Sequence, residues 1–163
     1  MSNHQGITFI ELVIALSVAA VLVGVFGFSF HGWMGSYEVE SQVKNVYADM
    51  MNARARAMDT NRTYYITITP DHYQICEDAD DNEQYEPDID SIRGVVNTKT
   101  LRYPSLWTGI IRVDHRGLVS GNPGPNGTIR FSNESSEPDY DCIVFFATRI
   151  NIGKWDGKNC IVQ

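Results

Sequence analysis

The apolar residues of this chain are concentrated near its N-terminus. Residues 7–30 contain only four polar side chains, those of Thr8, Glu11, Ser17 and Ser29, and no formal charge follows Glu11 in this segment. A helix needs about 20 such residues to cross the roughly 30 Å hydrocarbon core of a membrane. We therefore predict that residues 7–30 form a transmembrane segment.

A second hydrophobic pattern follows this segment. Apolar residues recur there at intervals of three and four, as expected for one face of a helix, at Val39, Val43, Val46, Tyr47, Met50, Ala53 and Ala57. No proline interrupts residues 7–60. We therefore predict one continuous helix of roughly 54 residues and about 80 Å, whose second half packs on a domain.

The rest of the chain contains short runs of β-branched and aromatic residues, separated by Gly, Pro, Asn or Asp. These runs predict strands at residues 62–69, 72–76, 95–103, 106–113, 127–132, 142–148 and 150–155. The predicted fold class is α+β, with a long N-terminal helix packed on an antiparallel β-sheet domain over residues 61–163. The chain has 163 residues, a length that suits one small domain carried by one anchor, and its net charge is −7.

A cleavable secretory signal peptide explains the apolar N-terminus poorly. Residues 1–6 contain no Lys or Arg, the apolar run exceeds the usual 7–15 residues, and no small-x-small site closes it. A plain single-span anchor remains an alternative. Against it stands Glu11, because a carboxylate inside a membrane span costs on the order of 2.5–3.5 kcal/mol and therefore indicates a partner or a function.

Residues 6–16, Gly-Ile-Thr-Phe-Ile-Glu-Leu-Val-Ile-Ala-Leu, resemble the processing site of type IV prepilins and type II secretion pseudopilins. The resemblance implies that a prepilin peptidase cuts between Gly6 and Ile7 and methylates the new N-terminus at Ile7. Residues 1–6 are then a leader peptide. The chain departs from the family pattern in two ways: the leader has no basic residue, and Ile7 stands where phenylalanine or methionine is commoner.

The same resemblance implies an assembly role for Glu11. Its carboxylate would neutralise the N-terminal amine of a neighbouring subunit, and we expect neither group to have a partner within its own helix. Opposite charges attract strongly where the dielectric constant is low. The implied partners are the peptidase, other pilins or pseudopilins and an inner-membrane assembly platform. The implied location is the inner membrane with a periplasmic domain, and then a periplasmic or surface filament.

A second resemblance covers residues 114–118, 127–131, 143–146 and 148–154, which look like the domain of the GspH and FimT minor pseudopilins and pilins. Some FimT proteins bind DNA through a Gly-Arg-x-Arg motif, for which residues 148–151 supply only one arginine, Arg149. A cationic patch of Arg149, Lys154 and Lys158 is thin for a polyanion. DNA is therefore an improbable partner, and any binding should be weak and nonspecific.

Export to an oxidising compartment predicts a disulfide among Cys76, Cys142 and Cys160. Cys142 with Cys160 is the favoured pair, because pilin-like proteins often close a C-terminal loop in this way. In the chain-entropy model such a loop contributes about 3 kcal/mol. The alternative pairings with Cys76 remain open at this point.

Residues 77–90 hold eight carboxylates and no basic residue. They fail the EF-hand pattern, since Glu83 occupies the glycine position and Ile89 the position of the bidentate glutamate. Either a solvated loop or an irregular cation site fits this composition. The cysteine and histidine spacings match no zinc or haem signature, and His115 beside Asp114 is more typical of surface neighbours than of a catalytic dyad. We predict no enzyme activity, no metal ligands and no cofactor.

Three functions compete on this sequence. The leading hypothesis is a low-abundance subunit that initiates or primes a type IV pilus or a type II secretion pseudopilus. The second is a filament-displayed module that binds DNA or a secreted substrate. The third is an unassembled membrane-anchored domain. Glu11 favours assembly, and the missing second arginine disfavours DNA binding.

Overall fold

The computed structural model describes residues 8–90, 94–122, 124, 126–131 and 137–162, and of residues 25–33 it describes the backbone alone. Within these residues, one α-helix precedes nine β-strands. The predicted leader, residues 1–6, lies outside the described residues. The α+β fold class predicted from the sequence is confirmed.

Helix α1 spans Phe9–Thr60 without a break. It ends at Asn61, whose left-handed backbone (φ 55°) lets its N–H donate to the carbonyl of Ala57. Asparagine tolerates this conformation better than most residues, so the local sequence sets the helix end. The predicted apolar stripe is confirmed: six of its residues are at most 1% exposed, namely Val39, Val43, Val46, Met50, Ala53 and Ala57.

The strands form two antiparallel sheets. The first has the order β3-β2-β1-β4-β5 and consists of β1 (Tyr64–Ile68), β2 (His72–Glu77), β3 (Val95–Thr100), β4 (Gly109–Val113) and β5 (Val119–Asn122). The second has the order β6-β7-β8-β9 and consists of β6 (Gly127–Arg130), β7 (Cys142–Phe146), β8 (Arg149–Trp155) and β9 (Cys160–Val162).

Helix α1 packs on both sheets and contacts β1, β4, β7 and β8. Because side chains alternate along a strand, β1 directs Tyr64, Ile66 and Ile68 into this common core. Tyr65 is also buried, yet it lies outside the core cluster, on the opposite face of the first sheet. The acidic segment 77–90 leaves β2 beside that outer face, where the Tyr85 and Tyr65 rings lie 5.3 Å apart.

The predicted strands differ from the observed ones mainly at their ends. The prediction for residues 95–103 is too long, since β3 ends at Thr100, and the prediction for residues 106–113 begins too early, since β4 starts at Gly109. Strands β5 and β9 were not predicted. β5 contains Ser, Gly and Asn, which have low strand propensity, and β9 has three residues, so neither gives a periodic signal.

Within the part of the chain that the structure describes, no helix is both long and apolar enough to span a membrane. The transmembrane segment at residues 7–30 therefore stays a prediction, and so does the division of the chain into residues 1–6, 7–60 and 61–163.

Candidate functional site

Glu11 lies in the first turn of α1 and forms a capping box with Thr8. Glu11 Oε2 accepts hydrogen bonds from the Thr8 backbone N–H and from Thr8 Oγ1, both at 3.2 Å. Thr8 Oγ1 in turn accepts from the Glu11 N–H at 3.4 Å. The expectation that Glu11 lacks a partner in its own helix is therefore wrong. The sequence signal was present as Thr-x-x-Glu, the usual capping-box spacing, and it identifies Thr8 as a missed residue of this site.

The predicted cleavage site lies outside the described residues, because Gly6 and Ile7 both precede Thr8. Cleavage between them and methylation at Ile7 stay predictions. The structure adds the position of the helix start: α1 begins at Phe9, two residues after Ile7. Glu11 therefore lies in the first turn of the helix, four residues after Ile7 in the sequence.

The first turns of α1 expose an apolar surface. Residues 8–24 are all exposed, including Phe9 (84%), Leu16 (62%) and Val23 (72%). Ser17 Oγ donates to the Ile14 carbonyl at 2.8 Å, so this hydroxyl is satisfied within the helix. An exposed apolar surface of this extent indicates contact with lipid or with other helices.

The second half of α1 is joined to the domain by polar side chains as well as by the core. Asp49 Oδ2 accepts from Tyr73 Oη, from Asn97 Nδ2 (3.2 Å) and from Lys99 Nζ (2.7 Å). Burial and the Asp49 carboxylate raise the pKa of Tyr73 well above its usual range. Glu38 accepts from Arg102 and Tyr103, both at 2.6 Å. These contacts hold the strand β3 side of the domain rigidly against the helix.

The predicted cationic patch is not a single cluster. Arg149 and Lys154 lie on β8 five residues apart, so their side chains point to opposite faces of the sheet. Lys158 lies in the turn before β9, where its N–H donates to Asp156 Oδ1 at 2.8 Å. The structure therefore does not bring these three residues together.

A different pair of arginines shares the outer face of the second sheet. The Arg149 guanidinium lies 5.2 Å from the centre of the Phe146 ring, and the Arg130 guanidinium lies 5.2 Å from that of Trp155. Across β6, β7 and β8, Arg130 pairs with Cys142 and Cys142 pairs with Gly153. Gly153 lies four residues after Arg149 on β8, so Arg130 and Arg149 are on the same face of the sheet. Sequence analysis missed Arg130, because only the alignment of β6, β7 and β8 shows that it shares this face with Arg149.

The structure contains a disulfide between Cys142 and Cys160, the pairing that the sequence favours. It joins β7 to β9 across the intervening strand β8, where Gly153 lies beneath it. A side chain at Gly153 would meet the Ile161 carbonyl oxygen and Cys160 Sγ. Cys76 is buried on the first sheet and takes no part in this disulfide.

The Asp114 carboxylate is engaged within its own turn. Its oxygens accept from the backbone N–H groups of Arg116 (3.0 Å) and Leu118 (2.8 Å) and from the Arg116 guanidinium. Burial alone would raise the pKa of Asp114, but these hydrogen bonds outweigh it and lower the pKa. This carboxylate therefore supports the turn between β4 and β5.

The acidic segment is not simply solvated. Asp78 and Asp90 are both fully buried, so the interpretation of residues 77–90 as a solvated loop is wrong for these two side chains. Asp80 and Asp88 are exposed, and Glu83 forms an ion pair with Arg112 at 2.8 Å.

Comparison with known proteins gives two family matches. The family model described as type II transport protein GspH matches residues 42–147, about two thirds of the chain. The model of the prokaryotic N-terminal methylation motif matches residues 1–27. No curated protein and no solved structure matches the chain.

Proposed function

This chain belongs to the GspH family of type II transport proteins and is a pilin-like subunit with an N-terminal methylation motif, and on this premise we propose that it initiates or primes filament assembly. In this proposal the prepilin peptidase cuts after Gly6 and methylates Ile7. The first half of α1 anchors the subunit in the inner membrane, and the domain after residue 60 lies in the periplasm.

The exposed apolar half of α1 is the observation that carries the proposal. Residues 8–24 pack against no other part of the described chain, whereas the second half of the same helix buries one face in the domain. A continuous helix whose second part packs on the domain and whose first part is exposed suits a subunit of this kind. Its apolar first part can leave the lipid and join a bundle of helices. The hydroxyl of Ser17 does not oppose this transfer, because its hydrogen bond is internal to the helix.

The Thr8–Glu11 capping box supplies a resting state for the carboxylate in this proposal. Before assembly, two donors of Thr8 partly offset the cost of placing Glu11 in an apolar environment. During assembly, the amine of a neighbouring subunit offers a full positive charge in their place. Such a charge attracts the carboxylate more strongly than neutral donors do, because two full opposite charges attract more strongly than a charge and a dipole, above all where the dielectric constant is low.

Filament counting in the native host tests the initiating role. Deletion of the gene should lower the number of filaments per cell and leave the length of the remaining filaments unchanged, because initiation and elongation are separate steps. A normal number of filaments per cell, whether or not the filaments are shortened, would contradict an initiating role. Re-expression of the wild-type chain should restore the number.

A second candidate function is display of a binding surface, which the outer face of the second sheet favours. Arg130 and Arg149 lie there beside Trp155 and Phe146, and arginine next to aromatic rings is typical of surfaces that bind single-stranded nucleic acid. The face offers two cations on a chain of net charge −7. Binding of a polyanion would therefore be weak.

A further inference from the structure

The acidic loop of residues 77–90 is folded around two buried carboxylates. Asp78 accepts from the N–H groups of Asp81 (2.9 Å) and Glu83 (2.7 Å). Asp90 accepts from the N–H groups of Ala79 (3.0 Å) and Glu86 (2.8 Å). Each carboxylate oxygen uses one lone pair in this way and keeps another for a further ligand.

The two buried carboxylates meet the exposed carboxylate of Asp80. One oxygen from each of Asp78, Asp80 and Asp90 lies within 4.8 Å of the others. Two oxygens bound to the same Ca²⁺ at 2.3–2.6 Å lie at most about 5 Å apart. The three oxygens are therefore close enough to share one such ion. Like charges at this separation repel unless a cation stands between them, and the nearby guanidinium of Arg112 is paired with Glu83.

Tyr65 supplies an independent observation at this place. Its side chain is 2% exposed, and its hydroxyl has no hydrogen-bond partner among the described residues. Burial, and then the negative charge of Asp78 with a smaller contribution from Asp90, raise the pKa of Tyr65 to about 12, although nearby Arg112 acts in the opposite sense.

Arg112 pairs with Tyr65 across β1 and β4, and its Nε, like the Tyr65 hydroxyl, has no hydrogen-bond partner among the described residues. Tyr65 pairs with Cys76 across β1 and β2, and the Asp78 N–H donates to the Thr63 carbonyl, so the ladder continues to Asp78. Asp78 and Tyr65 therefore lie on the same face of the first sheet, and a water molecule of an ion bound at Asp78 would supply the missing partner of the Tyr65 hydroxyl.

We propose that Asp78, Asp80 and Asp90 bind one calcium ion and that Tyr65 donates a hydrogen bond to a water molecule of that ion. The donor set is oxygen alone, which suits a hard cation and excludes the sulfur and nitrogen ligands that zinc prefers. Three carboxylates in an irregular loop suit the flexible coordination of Ca²⁺ better than the strict octahedron of Mg²⁺.

The backbone explains why the absence of glycine does not prevent this loop from turning. Glu83 adopts a left-handed conformation (φ 59°) at the position where an EF-hand loop has glycine, and its N–H donates to Asp78. The turn is therefore made without the residue that the sequence pattern requires. Asp90 lies one position after Ile89, the residue that fails the EF-hand pattern.

Calorimetric titration tests the site. The full chain, purified in detergent micelles and freed of metal with a chelator, is titrated with CaCl₂. We expect one Ca²⁺ per chain and a higher Tm in its presence, since binding to the folded state stabilises it. Asp80→Asn should weaken Ca²⁺ binding at least tenfold while leaving both buried carboxylates intact, and Tyr65→Phe should weaken it a few-fold.

Asp88→Asn is the matched control, because it makes the same charge change at an exposed position of the same loop outside the cluster. It should change the affinity less than threefold, and circular dichroism should show that all three variants keep the wild-type fold. No saturable binding by the wild type up to 5 mM CaCl₂ would overturn the proposal. Equal effects of Asp80→Asn and Asp88→Asn would overturn it too, since they would indicate diffuse charge attraction. Equally tight binding of Mg²⁺ would overturn the assignment to calcium.

Discussion

At the residue scale, the Glu11 carboxylate depends on one neighbour, Thr8. The Thr8 N–H donates to this carboxylate, and the Glu11 backbone N–H donates to the Thr8 hydroxyl oxygen. Removing the cap hydroxyl of such a box costs about 0.5–2 kcal/mol in helices generally. Thr8 therefore fixes the position of the carboxylate in the first turn and stabilises the helix start at the same time.

The processing prediction also belongs to single residues. We expect the mature chain from its native host to begin at N-methylated Ile7, and Gly6→Ala to slow cleavage, because a side chain at this position must fit the cleavage pocket of the peptidase. Mass spectrometry of the purified protein measures both. A mature chain that keeps residues 1–6 in a host with an active peptidase would contradict the prediction. Ser2→Ala, a change of similar size in the leader, is the control.

At the element scale, the sequence predicts best those elements in which apolar positions recur over several turns. Helix α1 was predicted almost to the residue, because its second half repeats apolar positions over several turns and no proline interrupts it. The turn at Asn61 depends on a left-handed backbone conformation, and the fold of the acidic loop depends on hydrogen bonds from backbone N–H groups to carboxylates; neither leaves a periodic signal. The outer-face pair of Arg130 and Arg149 depends on strand register, which becomes known only when β6, β7 and β8 are aligned.

Strand β9 gives an element-scale prediction. Gly153→Ala should separate β9 from β8, because the new Cβ would lie 2.3 Å from the Ile161 carbonyl oxygen and 3.1 Å from Cys160 Sγ. We expect the free energy of unfolding to fall by about 1–3 kcal/mol, as is typical of overpacking, and the amount of free thiol at Cys142 and Cys160 to rise. Thermal unfolding and thiol titration measure the two effects. Asn151→Ala on the same strand is the control, and an unchanged Tm and thiol count for Gly153→Ala would contradict the account.

The outer face of the second sheet gives a second element-scale prediction. The full chain in micelles should bind single-stranded DNA weakly at physiological salt, and Arg149→Ala or Arg130→Ala should abolish the residual binding, because few phosphate contacts give only weak nonspecific affinity. Lys154→Ala is the matched control, since its side chain lies on the opposite face. Gel shifts over a salt series are the measurement. Tight binding that Arg149→Ala removes would favour the display function over the initiating one.

At the scale of the whole molecule, one helix joins two different environments. Its second half belongs to the core and is held to β3 and the following segment by Asp49 and Glu38. Its first half exposes apolar side chains that the rest of the described chain does not cover. The exposed part of the helix and the part packed on the domain therefore belong to one continuous element.

The central claim is that Glu11 directs this exposed half-helix into a filament, and recovery of the Glu11→Gln subunit in sheared filaments tests it most directly. Glutamine keeps the shape of the side chain and removes the charge that a neighbour's amine would meet. Glu40→Gln, the same change in the domain half of α1, is the control. We predict that both variants insert in the membrane and are cleaved after Gly6, that Glu40→Gln enters filaments at the wild-type level, and that Glu11→Gln enters at least several-fold less. Equal recovery of the Glu11→Gln and wild-type subunits, with normal cleavage, would contradict the assembly role of Glu11.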